Sequence, residues 1–485
     1  MPFAGYPSPF LRAAPRSNSK VQQLLWGDFV EVRAGRDGEW VEARARRENG
    51  WLRESEIQDE QLLEINFVDV GQGDGCFLVT PDDRFLLIDA GEQDNMARFL
   101  RWRFNLRNHP ERQIHFDAAI LSHPDADHYK GLEPLLDSGQ FTFRTIYHNG
   151  IVPRAQDPGL GARVRDGRRS YLTELVRDRA AMETLLSDPA NVGRTWFPNL
   201  MRKALLSGRV PDIRMLSADD AFLPRFDAGD LAFRVLSPVP EPDAAGLPRL
   251  RSFGDDGRTK NGHSIVLLLT YRDVRILLGG DLNAKAEDYL IERWAGEDPS
   301  DLTGEALDAV ITRARDVFGA DIAKACHHGS ADFTETFLRA VDAIATVVSS
   351  GDDESYCHPR PDALGAIGRY GRGRRPLLFS TELARSTKDV IQDPDSIRAH
   401  VSELLSLHRA AADDDAKNVI AARVLEALAV LDRSVAVYGT IVVRTDGRRV
   451  LMAQKLERPR GATREEFDVH LLEPGEDRRL VYVMG

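Results

Sequence analysis

The feature that most constrains this chain is a run of potential metal ligands in residues 122–132, which reads SHPDADHYKGL. It follows the apolar segment FDAAIL and places His123, Asp125, Asp127 and His128 within six residues. A strand alternates its side chains between two faces, so it would not present all four together. A tight loop at the carboxyl end of a buried strand can, and such loops carry functional sites in α/β sheets. The run therefore predicts an α/β fold with a metal site in this loop.

The rest of the chain supports that fold class. Short apolar runs typical of buried strands, among them FLLIDAG, SIVLLLTY, VRILLGGD and DAIATVVSS, alternate with segments of helical spacing such as the one from Ala284 to about Trp294. With 42% apolar residues in a chain of 485, a large core is expected.

Composition shifts divide the chain into three predicted parts. Residues 1–20 are rich in Pro, Ser and Arg and predict a flexible arm. Residues 21–60 alternate apolar and polar positions with turns, which predicts small antiparallel strands. Their pattern VEVRAG, EWVEARA and GWLRESEI resembles bacterial SH3-like barrels, which would bind a protein or peptide partner; a β-extension of the next domain is the alternative. Residues 61–485 are expected to form one domain with mainly helical insertions at about 151–215 and 387–433.

Charge and cysteine content limit the function classes. The chain has 64 Lys and Arg against 76 Asp and Glu, a net charge of −12, so nucleic-acid contacts must be confined to local basic clusters. Three cysteines, Cys76, Cys326 and Cys357, suit a reducing cytoplasm rather than a disulfide framework. No apolar run approaches the ~20 residues of a membrane helix. These features predict a soluble cytoplasmic protein without membrane contact, and they leave the oligomeric state open.

Seven motifs occur in order along the chain: INFVDVGQGDG, FLLIDAG, SHPDADHYKGL, NGHSIVLLL, ILLGGD, KACHHGS and CHP. This series resembles the metallo-β-lactamase fold and, within it, the hydrolase domain of ComEC-type DNA-uptake proteins. The resemblance runs from about Leu63 to Thr381 and again from Gly439 to Gly447. It implies an αββα sandwich with a dinuclear metal site at one edge.

The resemblance also implies roles for individual side chains. It assigns the first metal to His123 and Asp125, and the second to Asp127, His128 and one of His327 and His328, with His328 preferred. Asp281 would bridge the two metals, and His358 would lie at the mouth of the site. The side chains that would orient the ligand histidines are Asp69, Asp74 and Asp89. His263 stands eighteen residues before Asp281, where the wider fold has a third ligand of the first metal. ComEC-type relatives instead have Asn-x-x-Ser, which Asn261 and Ser264 satisfy, so His263 is either a ligand or a packing residue.

A site with three carboxylates and several imidazoles suits two divalent ions, Zn or Mn. Such a pair would activate water for attack on a phosphorus or carbonyl centre, with Asp127 and Asp281 at the reaction centre and His358 or Lys324 assisting the leaving group. Cys326 and Cys357 are expected to be small buried residues. The glycine turn Val70–Asp74 is expected to approach the substrate.

Four arginines follow His358 closely and surround Tyr370: Arg369, Arg372, Arg374 and Arg375. Arginine interleaved with glycine and an aromatic residue suits phosphate contact and base stacking, so these residues are predicted to bind substrate. The favoured function is a phosphodiesterase or nuclease acting on DNA or nucleotides. The alternatives are a lactone, thioester or β-lactam hydrolase and a non-enzymatic, metal-bound interaction module.

Overall fold

The computed structural model describes residues 1–227, 229–351, 357–381, 394–436, 439–461 and 465–483. Two large sheets pack face to face, and helices cover their outer faces. This is the αββα sandwich expected from the sequence, so the predicted fold class is confirmed. Strands and helices are numbered below in chain order.

The N-terminal module consists of β-strands and one short 3-10 helix at Glu54–Glu56. Its five-stranded antiparallel sheet contains, in spatial order, β3 (Lys20–Gln23), β2 (Phe10–Arg12), β6 (Glu48–Arg53), β5 (Trp40–Ala45) and β4 (Glu31–Asp37), and β1 (Phe3–Ala4) pairs with β7 (Ile57–Gln58). The flexible arm expected over residues 1–20 is corrected here. Residues 1–20 supply β1 and β2, because Ala4 and Leu11 are buried in the core of the module. The SH3-like resemblance stays a prediction.

The first large sheet has ten strands. In spatial order they are β17 (Asp212–Met215), β14 (Thr145–His148), β12 (Ala118–Ile120), β10 (Phe85–Ala90), β9 (Gly75–Val79), β8 (Leu63–Phe67), β26 (Ile441–Thr445), β27 (Val450–Arg460), β28 (Glu465–Pro474) and β29 (Leu480–Val483). The strands from β10 to β17 pair in parallel and the others antiparallel. The loop of residues 122–125 therefore leaves the carboxyl end of a parallel strand, as expected.

The second sheet has six strands. In spatial order they are β18 (Leu231–Ser237), β21 (Val266–Tyr271), β22 (Val274–Leu278), β23 (Ile322–Lys324), β24 (Ala345–Val348) and β25 (Leu377–Ser380). The last four are parallel, so the loops that follow β22, β23 and β24 meet at one edge. The core between the two sheets is apolar and includes Phe67, Phe233 and Ile322, each at most 1% exposed.

The helices cover the outside of the sandwich. Those on the first sheet are α1 (Asn95–Arg103), α2 (Ala126–Tyr129), α3 (Leu132–Ser138), α4 (Arg179–Ser187), α5 (Pro189–Val192) and α6 (Trp196–Leu206). Those that follow strands of the second sheet are α7 (Asp256–Gly262), α8 (Ala284–Ala295), α9 (Gly304–Phe318), α10 (Glu335–Val341) and α11 (Pro361–Tyr370), and a hairpin of α12 (Pro394–Ala410) and α13 (Asp414–Ala436) reaches α1.

The first insertion, at about residues 151–215, is not mainly helical as predicted. It combines α4, α5 and α6 with strands β15 (Arg163–Asp166) and β16 (Arg169–Leu172), which continue into β20 (Pro248–Arg251) and β19 (Glu241–Pro242). The insertion ends with β17, which pairs in parallel with β14 and so extends the edge of the first sheet. In the second insertion, α12 and α13 agree with the prediction, while residues 387–393 lie outside the described residues. A separate short parallel pair is formed by β11 (Ile114–Phe116) and β13 (Phe141–Phe143).

Candidate metal centre

Four potential ligands converge where the two sheets share an edge. Asp127 and His128 lie on α2, just after β12 of the first sheet, whereas Asp281 follows β22 and His328 follows β23 of the second. One ligand atom of each of the four lies within 4.8 Å of those of the others. The centre therefore depends on both sheets.

The distances within this group leave space for a cation. Oδ2 of Asp281 lies 3.2 Å from Nε2 of His128 and 3.2 Å from Nε2 of His328, and the latter nitrogen lies 3.5 Å from Oδ2 of Asp127. Both Nε2 atoms are buried and have no hydrogen-bond partner among the described residues. Buried polar atoms normally have partners, so these four side chains fit a divalent metal ion with nitrogen and oxygen ligands.

His128 is oriented by Asp89, as the resemblance implied. Nδ1 of His128 lies 2.9 Å from Oδ2 of Asp89, whose other oxygen accepts from the backbone N–H of Ser122 at 2.7 Å. With Nδ1–H donating to a carboxylate, Nε2 is the nitrogen left for a metal. Asp89 has φ +55°, an uncommon conformation for a residue other than glycine, which the backbone adopts where the carboxylate turns toward the site.

His328 has an equivalent support. Its Nδ1 lies 3.2 Å from Oδ1 of Asp74 and 3.2 Å from the carbonyl oxygen of Ser349. The chain reaches this position through a tight turn at Cys326–Gly329, in which His327 and His328 both have left-handed φ values of 49° and 52°. The structure thus brings His328 into the four-residue group, in agreement with the preference drawn from the sequence.

Lys324 belongs to the support of the site rather than to its surface. It is 5% exposed, its Nζ forms a close ion pair with Asp74, and it donates to the carbonyl oxygen of Gly280 at 3.1 Å. Its Nζ also lies 3.7 Å from Oδ1 of Asp281. The predicted role of Lys324 in assisting a leaving group is therefore corrected, because its ammonium group is already engaged by buried carboxylates behind the ligands.

Electrostatics keep this buried group charged. Burial alone would raise the pKa of Asp74, but the charges of Lys324 and His328 outweigh it and hold that pKa below its usual range. Burial alone would lower the pKa of Lys324, but Asp74 and Asp281 outweigh it and raise that pKa. Lys324 and Asp74 therefore form a buried ion pair. Through Asp74, this pair holds Nδ1 of His328, the ring nitrogen that faces away from the metal position.

His123 and Asp125 form the other half of the predicted dinuclear site. Nε2 of His123 is buried, has no hydrogen-bond partner among the described residues, and lies 3.5 Å from Oδ2 of Asp125. The other oxygen of Asp125 forms a close ion pair with Lys260 of α7. Burial alone would raise the pKa of Asp125, but His123 and Lys260 outweigh it and hold that pKa at about 2. This half contains one free imidazole nitrogen and a carboxylate that already has a cationic partner.

His263, the open candidate for a third ligand, lies elsewhere. Its Nε2 donates to the carbonyl oxygen of Arg251 at 2.6 Å, and its ring packs against Phe253 with centroids 4.8 Å apart. Burial lowers the pKa of His263 to about 4. The ligand role is therefore corrected in favour of packing. Ser264 points into the site instead, where its Oγ accepts from the backbone N–H of Asp281 at 3.0 Å and lies 3.3 Å from Nδ1 of His123.

His327 and His358 lie at the outer side of the group. Nε2 of His327 is 4.0 Å from Oδ2 of Asp281, and its ring centroid is 5.6 Å from that of His358. The ring of His358 lies 6.4 Å from that of His328 and is nearly parallel to it. Both rings thus lie next to the ligand group, and the expected place of His358 at the mouth stays a prediction.

The glycine turn after β8 packs tightly against α2. A Cβ atom on Gly73, which has φ +103°, would lie 1.7 Å from the carbonyl oxygen of Asp127. Glycine is required there because of this close packing, and the expected approach of the turn to substrate stays a prediction. Asp69 lies in the same region, where its carboxylate accepts from the backbone N–H of Gly71 at 3.2 Å, and its role in orienting a ligand histidine stays a prediction.

The predicted substrate arginines lie at the wrong end of the second sheet. Arg372 forms an ion pair with Asp321, which precedes β23, and its backbone N–H donates to Ala343 before β24. The metal ligands follow the opposite, carboxyl ends of these parallel strands. Helix α11 carries the chain from His358 across the sheet, a distance of about 15 Å for ten residues, so nearness in sequence does not bring the arginines near the site.

This correction applies to the whole cluster: Arg369, Arg372, Arg374 and Arg375. Cys357 is also exposed rather than buried as expected, while Cys326 is half-buried. The main contact that sequence reasoning missed is Lys260, because a single lysine before a strand carries no pattern that relates it to Asp125. Ser122 was missed as a partner of His123 and His128 for the same reason, although both Oγ···Nδ1 distances are 3.2 Å.

The comparisons with known proteins agree with this fold and site. The family model of the metallo-beta-lactamase superfamily matches residues 75–329, which is more than half of the 485 residues. The chain therefore belongs to the metallo-beta-lactamase superfamily, whose members are in general metal-dependent hydrolases that bind divalent ions.

Individual relatives are distant. The chain is 24% identical over 323 residues to ComE operon protein 3 of Bacillus subtilis (strain 168), a match that covers 63% of this chain and 31% of that protein. Among solved structures, it is similar to a metal-dependent hydrolase of the beta-lactamase superfamily (13% identity, TM-score 0.31, covering 66% of this chain and 95% of that one). It is also similar to Zn(2+)-bound PqqB from Methylobacterium extorquens (10% identity, TM-score 0.32, covering 65% and 97%).

Within the described part of the chain, none of the helices combines the length and the apolar character that crossing a membrane requires.

Proposed function

We propose that this chain is a metal-dependent phosphodiesterase or nuclease that acts on DNA or nucleotides and uses Zn or Mn. The observation that carries the proposal is the group of Asp127, His128, Asp281 and His328, which offers two carboxylates and two imidazoles around one position. Divalent ions held at this position would supply Lewis acidity and an activated water for hydrolysis. The carboxylate-rich ligand set and the resemblance to ComEC-type hydrolase domains favour a phosphodiester over a lactone, thioester or β-lactam.

We assign two ions to the site. Asp127, His128, Asp281 and His328 would hold the tighter-binding ion, which is called the first from here on, and His123 and Asp125 would hold the second. Asp281 is proposed to bridge the two positions, as the resemblance implies. Lys260 already pairs with one oxygen of Asp125, which lowers the affinity of that carboxylate for an ion. The second position is therefore the weaker of the two.

The remaining residues of the site position the reacting groups. Asp89 and Asp74 hold the imidazoles of His128 and His328 with Nε2 toward the centre, and Lys324 neutralises Asp74. His358, whose ring lies 6.4 Å from that of His328, is proposed to stand at the mouth and to hold a proton for the departing oxygen. The N-terminal module is proposed to bind a protein or peptide partner, and the chain is proposed to work in the reducing cytoplasm.

Hydrolysis of bis-p-nitrophenyl phosphate tests the proposal. We expect turnover that depends on added Mn²⁺ or Zn²⁺ and is abolished by Asp281→Asn, with kcat falling at least about a hundredfold because a buried ligand is lost. Asp308→Asn, at an exposed position of α9, is the matched control and should keep wild-type activity. Turnover of lactones or β-lactams without turnover of phosphodiesters would establish the alternative hydrolase. A metal-loaded protein that hydrolyses neither would contradict the enzymatic proposal.

A further inference from the structure

A recess at the carboxyl end of α2 is formed jointly by the hydrolase core and the first insertion. It has a volume of about 330 Å³, and it is lined by Tyr129, Lys130, Glu133, Gly193, Arg194, Trp196, Asn199 and Leu200. Tyr129 is the last residue of α2, the helix that carries Asp127 and His128. The recess therefore lies at the end of the helix that carries two of the four ligands.

Trp196 is presented at the rim of the recess by a fixed helix. It is the first residue of α6, and the next residue, Phe197, is 1% exposed and packs edge-on against Tyr129 with ring centroids 4.9 Å apart. This contact ties the start of α6 to α2. Trp196 itself is 58% exposed, and Nζ of Lys130 lies 4.9 Å from its ring centroid. Because more than half of the indole surface is open, the ring can accept a second flat partner.

The charges around this indole suit a negatively charged ligand. Glu133 and Asp137 share Lys203, at 2.6 and 2.9 Å, and Lys130 pairs with Glu92 at 2.8 Å, so each of these carboxylates already has a cationic partner. Arg194 is exposed and forms no ion pair with any of the residues that the structure describes. A guanidinium group next to an open aromatic face is the combination that binds phosphate and base of a single strand.

We infer that Trp196 stacks on a base of single-stranded DNA adjacent to the bond that is cleaved, while Arg194 and Lys130 contact its phosphates. This inference rests on the proposed function and names its substrate class. A duplex cannot use this site in the same way, because both faces of its bases are already stacked on their neighbours. The first insertion would thus make single strands the preferred substrate. It would take over the substrate-binding role that the sequence predicted for the arginines after α11, which lie at the far end of the second sheet.

Binding of a fluorescein-labelled oligodeoxynucleotide of about ten nucleotides tests the inference without requiring turnover. Its Kd is measured by fluorescence anisotropy with the full-length, Mn²⁺-loaded protein. We expect Trp196→Ala to raise Kd roughly tenfold, which equals about 1.4 kcal/mol, and Trp196→Phe to recover most of the loss. The matched control is Leu206→Ala, because Leu206 is an 81% exposed apolar residue at the other end of the same helix. That variant should bind like the wild type.

A strand of the same length with abasic sites separates base stacking from phosphate contact. We expect Trp196→Ala to leave the Kd for the abasic strand within about twofold of the wild-type value, whereas Arg194→Ala weakens both strands about equally. Metal content and the thermal unfolding midpoint of each variant confirm that it is folded.

Each other outcome overturns the inference. It falls if wild-type protein does not bind the strand, if Trp196→Ala binds it normally, or if Trp196→Ala weakens both strands equally. Binding that depends on Trp196 without any cleavage would retain this inference and reject the proposed phosphodiesterase instead.

Discussion

The ammonium group of Lys260 contacts the carboxylate of Asp125 in the half of the site where a second metal is expected. The other half, Asp127, His128, Asp281 and His328, has four ligand-type side chains around one position, and the lysine nearest to it, Lys324, pairs with Asp74 behind the ligands. The two halves are therefore unequal, and this inequality determines how the protein should take up metal.

Removing the lysine should strengthen the second position. In Lys260→Met, Asp125 loses its cationic partner, so we expect the second divalent ion to bind at least about tenfold more tightly while the first is unchanged. Isothermal titration calorimetry with Mn²⁺ measures both constants. Asp125→Asn should abolish only the weaker event, and Asp127→Ala with His128→Ala should abolish the tighter one. Two ions of equal affinity in the wild type would contradict this assignment.

The hydrogen bond from His128 to Asp89 should influence metal affinity, although Asp89 itself is not assigned as a ligand. Asp89→Asn removes the carboxylate that holds Nδ1, so the imidazole loses its orientation and we expect metal affinity to fall about 10- to 100-fold. Competition with a fluorescent chelator measures this change. Asp83→Asn, in the exposed turn between β9 and β10, is the control and should bind metal normally. Equal affinities for Asp89→Asn and wild type would show that packing alone orients His128.

The buried pair of Lys324 and Asp74 should matter for stability. Lys324→Met leaves the carboxylate of Asp74 buried without its main cation, and removing one partner of a buried pair costs about 3–5 kcal/mol of unfolding free energy. Urea denaturation measures this loss. Because the double variant Lys324→Met with Asp74→Leu removes both charges, it should recover much of the stability. A double variant as unstable as the lysine variant alone would argue that Lys324 acts mainly through Gly280 or Asp281.

Glu287 provides a pH-dependent prediction. It is 1% exposed, accepts from the backbone N–H of Thr334 at 2.6 Å, and burial raises its pKa from 4.5 to about 8. Since the folded-state pKa of this acid is raised, its stabilising contribution is fully present below about pH 4.5 and is lost as the pH rises through about 8. Glu287→Gln keeps the acceptor without the charge. We expect the free energy of unfolding of this variant to exceed that of the wild type by a few kcal/mol at pH 9. At pH 5 the two values should be nearly equal.

Thermal unfolding of both proteins at the two pH values measures this difference. Glu305→Gln, at an exposed position of α9, is the matched control and should show no pH-dependent difference from the wild type. If Glu287→Gln and the wild type lose stability in parallel between pH 5 and 9, the carboxyl of Glu287 is ionised throughout and the prediction fails.

Local patterns predicted the elements that hold the ligands. The run from His123 to His128 is dense enough in ligand types to mark a loop at a strand end, and the structure has that loop between β12 and α2. The same reasoning failed for the arginines after His358, because it treated nearness in sequence as nearness in space. A helix of ten residues was enough to move them to the opposite edge of the sheet.

The amino-acid sequence by itself determined the fold class, the superfamily, and the residue types at the metal centre, because alternating apolar runs and clustered ligands are local properties of the chain. Only the tertiary structure decided that His328 faces Asp281, that His263 packs against Phe253, and that Lys260 reaches Asp125. Those outcomes depend on where strands of two different sheets end and on which way each side chain turns at that edge. Residues 135 positions apart, such as Asp125 and Lys260, meet there without any pattern that relates them in the sequence.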